Sequence, residues 1–263
     1  MTYFGFLSIF LVIPLLLFLF ITWRDGRRGR LIAGFKNGRA VWLAIGLHML
    51  IAVIYTTPWD NYLVATHVWT YDPALVTGKL IGYVPIEEYT FFLLETLLAG
   101  LVWWALARRV AQIRPFKPWG SLRLWSVVAL GFLWLVSIYY LILGAASATY
   151  LAITLAWALP PIGLQLVFGA DILWHHRRLL AVVILPLAFY LSLTDSLAIA
   201  SGTWTISPAQ STGLFIGALP IEEAVFFLLT LVLVVFGQTL LLANESSLRF
   251  RELVNLFRRI PET

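Results

Sequence analysis

An acidic tetrapeptide that is costly to place even once in an apolar segment occurs twice in this chain. Pro85-Ile86-Glu87-Glu88 is followed by Phe91-Phe92-Leu93-Leu94, and Pro220-Ile221-Glu222-Glu223 by Phe226-Phe227-Leu228-Leu229. The offset of 135 residues holds without a gap back to Asp60 and Asp195. About half of the intervening positions match, among them Trp69/Trp204, Thr70/Thr205, Pro73/Pro208, Gly78/Gly213 and Gly82/Gly217. Self-similarity at a fixed period marks a repeated structural unit. Each copy sets two adjacent carboxyl groups among apolar residues, an arrangement that calls for a functional reason.

The surroundings are those of a membrane protein. Only 12% of the 263 residues are charged, against about 25% in a soluble domain. Without cysteine there is no disulfide framework and no thiolate chemistry. The net charge of +5 does not indicate nucleic acid, because the basic residues sit in short loops between apolar runs. Apolar segments predict helices over 3–23, 40–57, up to 107 through the first motif, 124–143, up to 168, 179–198 and up to 243 through the second motif. Pro160-Pro161 is expected to kink or break the fifth. The first helix starts neutral and is followed, not preceded, by basic residues, so it reads as retained rather than as a cleaved leader.

Basic and non-basic loops alternate. Arg24, Arg27, Arg28, Arg30 and Lys36 fall on one side, with Arg108, Arg109, Arg114, Lys117 and Arg123, then His175-His176-Arg177-Arg178, then Arg249, Arg251, Arg258 and Arg259. The aromatic segment 58–79 and the uncharged 201–213 fall on the other. The positive-inside rule puts the N-terminus outside and the C-terminus in the cytoplasm. Subtracting the offset maps helices five to seven onto one to three, with helix four as connector. The expected fold is all-α, a multi-pass protein of the cell membrane with seven transmembrane helices in a 3+1+3 parallel repeat. Its parts are a first unit over 1–107, a connector over 108–144, a second unit over 145–243 and a tail over 244–263.

Pro85 and Pro220 suit the first turn of a helix; alternatively the helices begin near 80 and 214 and the prolines kink them. Either way Glu88, Phe91, Phe92 and Glu95 share one face by their spacing, as do Glu223, Phe226, Phe227 and Thr230. A helix N-terminus favours the ionised carboxylate. Desolvation and a second carboxyl favour the neutral acid, by more when burial is complete. A dry site therefore keeps its acids protonated at neutral pH, and such an acid beside aromatic faces is suited to making a carbocation. Phe91, Phe92, Phe226, Phe227, Trp69 and Trp204 offer the π-faces to stabilise it. Lipid-soluble compounds that become cations on protonation are polyenes and isoprenoids.

The doubled Pro-Ile-Glu-Glu-x-x-Phe-Phe pattern resembles the heterodimer-type and fungal/archaeal-type lycopene cyclases. In that family three-helix membrane units occur as separate subunits, as one fused chain, or joined to a phytoene synthase. The resemblance covers essentially the whole chain and corresponds to the fused form. It implies protonation of the terminal double bond of lycopene, closure of a six-membered ring and loss of a proton, with no net redox change and no cofactor or metal. The product implied is β-carotene or monocyclic γ-carotene. Relatives with such helices include carotenoid hydratases and cyclases of longer carotenoids. The implied partners are lycopene entering from the bilayer, membrane lipids and other carotenoid enzymes. The family's motif falls on Glu87, Glu88, Glu222 and Glu223; the repeat adds Asp60 and Asp195 to the expected catalytic set. Tyr89 joins the aromatic residues expected to bind substrate, at a position where the second copy has Ala224. His48 and His67 read as ordinary polar residues.

Other classes fit less well. A 3+1+3 transporter needs a polar site near the midplane, whereas the repeated polar residues here gather at one end among aromatics. A retinal receptor needs a lysine in the last helix, and 214–243 contains none. A flavin-dependent cyclase needs a G-x-G-x-x-G turn, which is missing.

Overall fold

Seven helices of the computed structural model, which describes residues 1–113 and 115–258, are long and apolar enough to cross a membrane. They are α1 (Tyr3–Arg27), α2 (Arg39–Ala65), α3 (Ile86–Val110), α4 (Gly120–Ile142), α5 (Thr149–His175), α6 (Arg177–Ala200) and α7 (Ile221–Leu242). The chain is a membrane protein, and its outward faces carry large apolar side chains such as Phe20, Phe132, Leu164 and Phe189. Among the spans α3 is the most enclosed, with 72% of its apolar window buried, while α4 is 6% buried and lies outside against α5. The core runs along α3 and α7, the two helices that carry the acidic motifs.

Several expectations need correction. The second helix does not stop before Pro58. It runs through that proline to Ala65, so Asp60 is a helix residue. Pro160-Pro161 does not break α5; the backbone leaves helical angles at Gly169 instead (φ −155°, ψ 34°). Within the tail, Asn244–Arg258 forms an eighth helix, α8. Arg249 ties it down, with guanidinium nitrogens 2.8 and 2.7 Å from the two carboxyl oxygens of Asp171. The predicted basic positions Arg114 and Arg259 lie outside the described residues.

Nor is the chain wholly helical. Before α3 lie β1 (Trp69–Tyr71), β2 (Leu80–Ile81) and β3 (Val84–Pro85); before α7 lie β4 (Trp204–Ile206), β5 (Phe215–Ile216) and β6 (Leu219–Pro220). The pairs β2–β3 and β5–β6 are two-residue hairpins. Gly82 (φ 68°) and Gly217 (φ 66°) hold the first turn position, where positive φ suits glycine. Strands β1 and β4 pair antiparallel, with Thr70 opposite Thr205 and their hydroxyls 2.6 Å apart. Residues 135 apart thus meet each other directly. They do so again deeper down, where Thr230 donates to Glu95 at 2.8 Å.

The offset of 135 does not extend to the first helix. Tyr3 N–H donates to the Leu75 carbonyl and Tyr150 N–H to that of Gln210, the residue 135 beyond Leu75. Tyr3 therefore corresponds to Tyr150, 147 residues on. The segment between α1 and α2 has no equal between α5 and α6, which are separated by His176 alone. Within α1 a π-helical turn at Ser8–Val12 accommodates one further residue.

Candidate active site

The hairpins decide where the acids stand. Each delivers the chain to its helix in extended conformation, with Pro85 and Pro220 as the residues just before α3 and α7 (ψ 148° and 142°). The glutamates then take the second and third helical positions, where the free N–H groups and the helix dipole favour carboxyl oxygens. Of the two alternatives left open by the sequence, the helix starts at the motif rather than a turn or two before it. The two members of each pair diverge, as neighbours on a helix must. Glu87 turns to its own loop and accepts the Thr77 N–H at 2.6 Å; Glu222 accepts the Thr212 N–H at the same distance. Glu88 and Glu223 turn inward.

Both inward acids line one pocket of about 30 Å³, together with Trp69, Trp204, Phe91, Phe226, Phe227 and Asp195. Such a volume holds about one water and no more. Oε2 of Glu88 accepts the hydroxyls of Tyr3 and, at 3.0 Å, Tyr71. Oε1 of Glu223 accepts the Tyr150 hydroxyl at 2.8 Å and the indole N–H of Trp69 at 3.2 Å. Tyr3 and Tyr150 serve equivalent acids, while Trp69 reaches across from one half to the acid of the other. Its counterpart Trp204 instead donates to Asp195 at 3.0 Å. Asp60 is fully buried and neither of its oxygens has a hydrogen-bond partner. The carboxyls are near enough to interact, Asp60 with Glu88, and Asp195 with both Glu223 and Glu88. Among the described residues no Lys, Arg or His forms an ion pair with any of them. Burial, then the Glu88 and Asp60 carboxyls, push the Tyr71 phenol well above its ordinary range, so it remains a donor.

Residues 1–105 and 147–241, the two segments that flank α4, match the model of the lycopene cyclase family. The chain belongs to the lycopene cyclase family. The lycopene beta-cyclase of Halobacterium salinarum is 38% identical over 206 residues, which cover 78% of this chain and 84% of that protein. The bifunctional lycopene cyclase/phytoene synthases of Podospora anserina and Gibberella fujikuroi are 34% and 32% identical over 76% and 75% of this chain. The matches span only 35% and 34% of those two proteins. No solved structure matches.

Of the residues singled out from sequence, Glu88, Glu223, Asp195, Phe91, Phe226, Phe227, Trp69 and Trp204 meet at the pocket. Glu87, Glu222 and Tyr89 do not line it. The Tyr89 hydroxyl donates to the Ile81 carbonyl and accepts from Asn61, fastening the first hairpin. Phe92 and Glu95 face a second cavity, of about 240 Å³, with His48, Trp157 and Phe226. His48 is accordingly a buried cavity residue, its Nδ1 2.7 Å from the Ala44 carbonyl oxygen. Tyr3, Tyr71 and Tyr150 were missed. The repeat does hold a signal for two of them, a tyrosine at the start of helices one and five, hidden by the change of offset.

Proposed function

We propose that this chain is a membrane lycopene cyclase that closes the linear ends of lycopene through a carbocation, giving β-carotene or monocyclic γ-carotene. In this reading one of Glu88 and Glu223 donates its proton to the terminal double bond. The cation is attacked by the next double bond along the chain, which closes the six-membered ring and moves the positive charge onto a ring carbon; a proton from an adjacent carbon then leaves to a carboxylate. Proton gain and loss balance, so the reaction is an isomerisation without redox and without a cofactor. The observation that carries it is the meeting of Glu88 and Glu223, two buried acids without a cationic partner, in one aromatic-walled pocket of about 30 Å³.

Burying several uncompensated carboxylates would cost several kcal/mol each, which favours a set that holds protons. The hydrogen bonds from Tyr3, Tyr71, Tyr150 and Trp69 support it by receiving the charge that develops as a proton departs. Phe91, Phe226 and Phe227, with Trp69 and Trp204, present π-faces to the cation. Asp60 and Asp195 are proposed as proton acceptors or as the charges that set the balance between the two glutamates. Glu87 and Glu222, also in the proposed set, would act by holding the loops that precede the two hairpins. Phe92 and Tyr89 complete the proposed substrate-contacting set.

The proposed architecture is two parallel three-helix units joined by α4, N-terminus outside and C-terminus in the cytoplasm. Bonds between residues 135 apart, Thr70 with Thr205 and Glu95 with Thr230, support an axis between the halves. Expression in a lycopene-accumulating bacterium is expected to turn the pigment from red to orange-yellow, and Glu88→Gln or Glu223→Gln to abolish the change while the protein stays in the membrane. Unchanged lycopene with wild-type protein in the membrane would overturn the activity; wild-type rates in both variants would overturn the assignment of the acids.

A further inference from the structure

The acid pocket has room for a water molecule, and a polyene end with its attached chain needs far more. Next to it lies the cavity of about 240 Å³ between α2, α3, α5 and α7. Phe226 lines both, so its ring stands between them. That ring stacks on Trp59 (5.4 Å, 9° between planes), which stacks on Trp157 (4.6 Å, 22°). Trp157 stands at the outer side with Tyr55, whose hydroxyl donates to the Trp157 carbonyl at 2.9 Å. Tyr55 and its neighbour Ile51 are exposed on the lipid-facing side of α2. The cavity therefore leads from the hydrocarbon region to the back of the acid pocket, along an aromatic wall.

The space lies where the two halves meet, lined by α2 and α3 of the first and α5 and α7 of the second, and the positions related to its α2 wall are filled differently. Tyr190, the counterpart of Tyr55, makes the same bond to the Phe10 carbonyl, and Phe10 precedes Trp157 by the same 147 residues that separate Tyr3 from Tyr150. The frame is thus repeated, but its filling is not. Ala52 on α2 has Leu187 as counterpart and His48 has Val183, and both of those aliphatic residues are buried. At 240 Å³ the cavity is also smaller than the 300–1,000 Å³ typical of a site that encloses a whole small ligand. It suits one stretch of a long chain whose remainder lies in the bilayer.

We infer that the cavity between α2, α3, α5 and α7 receives the isoprenoid chain of the substrate behind its reacting end, with Phe226 as the partition that must swing aside. The inference rests on the cyclase reading and adds the path and the residue that sets its width. Entering through this chamber, the two ends of a linear substrate are presented in turn.

The test uses full-length Glu223→Gln protein, purified in detergent from cells that accumulate lycopene, and measures lycopene absorbance retained per protein. Retention is expected with that variant alone. Adding Ala52→Leu, which copies the other half, is expected to lower it, and adding Ala52→Trp to lower it about tenfold. Size-exclusion elution and melting temperature monitor the fold, and Ala52→Leu keeps the test decisive if the tryptophan variant fails to fold. Equal retention with and without the filling substitution in folded protein overturns the inference. So does finding a phospholipid in the Glu223→Gln protein in place of lycopene. Turnover by the Glu223→Gln protein itself would strike at the acid assignment instead.

Discussion

Removing one hydroxyl, Tyr150→Phe, separates the proposed acid chemistry from the fold that surrounds it. The Tyr150 side chain is wholly buried, and its ring packs edge-on against Trp69 at 5.7 Å, a contact phenylalanine keeps. What is lost is the 2.8 Å hydrogen bond to Glu223, leaving the Trp69 indole at 3.2 Å as that oxygen's donor. A hydrogen bond to a charged group contributes about 1.5–3 kcal/mol, and the charge on Glu223 grows only as its proton leaves. Turnover should therefore fall about 10- to 150-fold. Tyr3→Phe makes the equivalent change at Glu88, which keeps Tyr71 at 3.0 Å. Lycopene loss and ring products, measured by chromatography in membranes with quantified protein, give the two rates. The variant with the greater loss marks the glutamate that gives the proton. If both variants turn over within twofold of wild type, the carboxyls are not receiving developing charge and the chemical reasoning fails.

Two further substitutions separate scaffold from site. Glu87→Gln and Glu222→Gln keep an oxygen that can accept the Thr77 or Thr212 N–H, so turnover should stay within a few-fold of wild type, by the same chromatography, while Glu88→Gln is inactive. Gly100→Ala would place a methyl group 2.7 Å from Ile45 Cγ1 and 3.2 Å from Gln238 Oε1, where α3 crosses α2 and α7. Overpacking of this kind costs about 1–3 kcal/mol, so a lower melting temperature is expected with unchanged turnover per folded protein.

The sequence made the seven spans legible because apolar length is a strong signal, and it made the acid pocket legible because the motif is doubled at a fixed offset. It was silent on the short strands, since each hairpin has only two residues per strand and no alternating pattern to show. Pro58 and Pro160-Pro161 read as breaks, yet both helices continue through them; a proline in a buried helix is tolerated where neighbouring elements meet the freed backbone groups. Asp60 was placed in a loop for that reason. Tyr3 and Tyr150 escaped because an ungapped comparison cannot follow a change of offset from 135 to 147. Tyr71 has Ile206 as its counterpart, so the repeat gave it no emphasis. The partition of each Glu-Glu pair into one loop anchor and one pocket acid follows from helical geometry, but which of the two faces inward is decided by the hairpins.

A pocket that makes a cation must also keep water from it, because water captures a tertiary cation to give an alcohol where a carboxylate would take a proton to give a ring alkene. The volume of about 30 Å³ leaves space for about one molecule, and Phe227 closes part of the wall, packed edge-on to Phe91 at 6.2 Å and to Phe226 at 5.3 Å. Phe227→Leu removes ring atoms but keeps an apolar side chain, so it enlarges the pocket without adding an acid or a base. Captured cations form a carbon–oxygen bond, and the water loses one proton to a carboxylate, so the product is heavier than lycopene by one water. Mass spectrometry of the pigments should show the hydrated fraction rising about tenfold or more over wild type, the change expected for a shift of about 1.4 kcal/mol between the two fates. A slower enzyme with the wild-type ratio of hydrocarbon to alcohol would mean that Phe227 serves packing alone. A shift towards alcohol would mean that the step from cyclase to hydratase chemistry in such a site is a matter of how much water the aromatic wall admits.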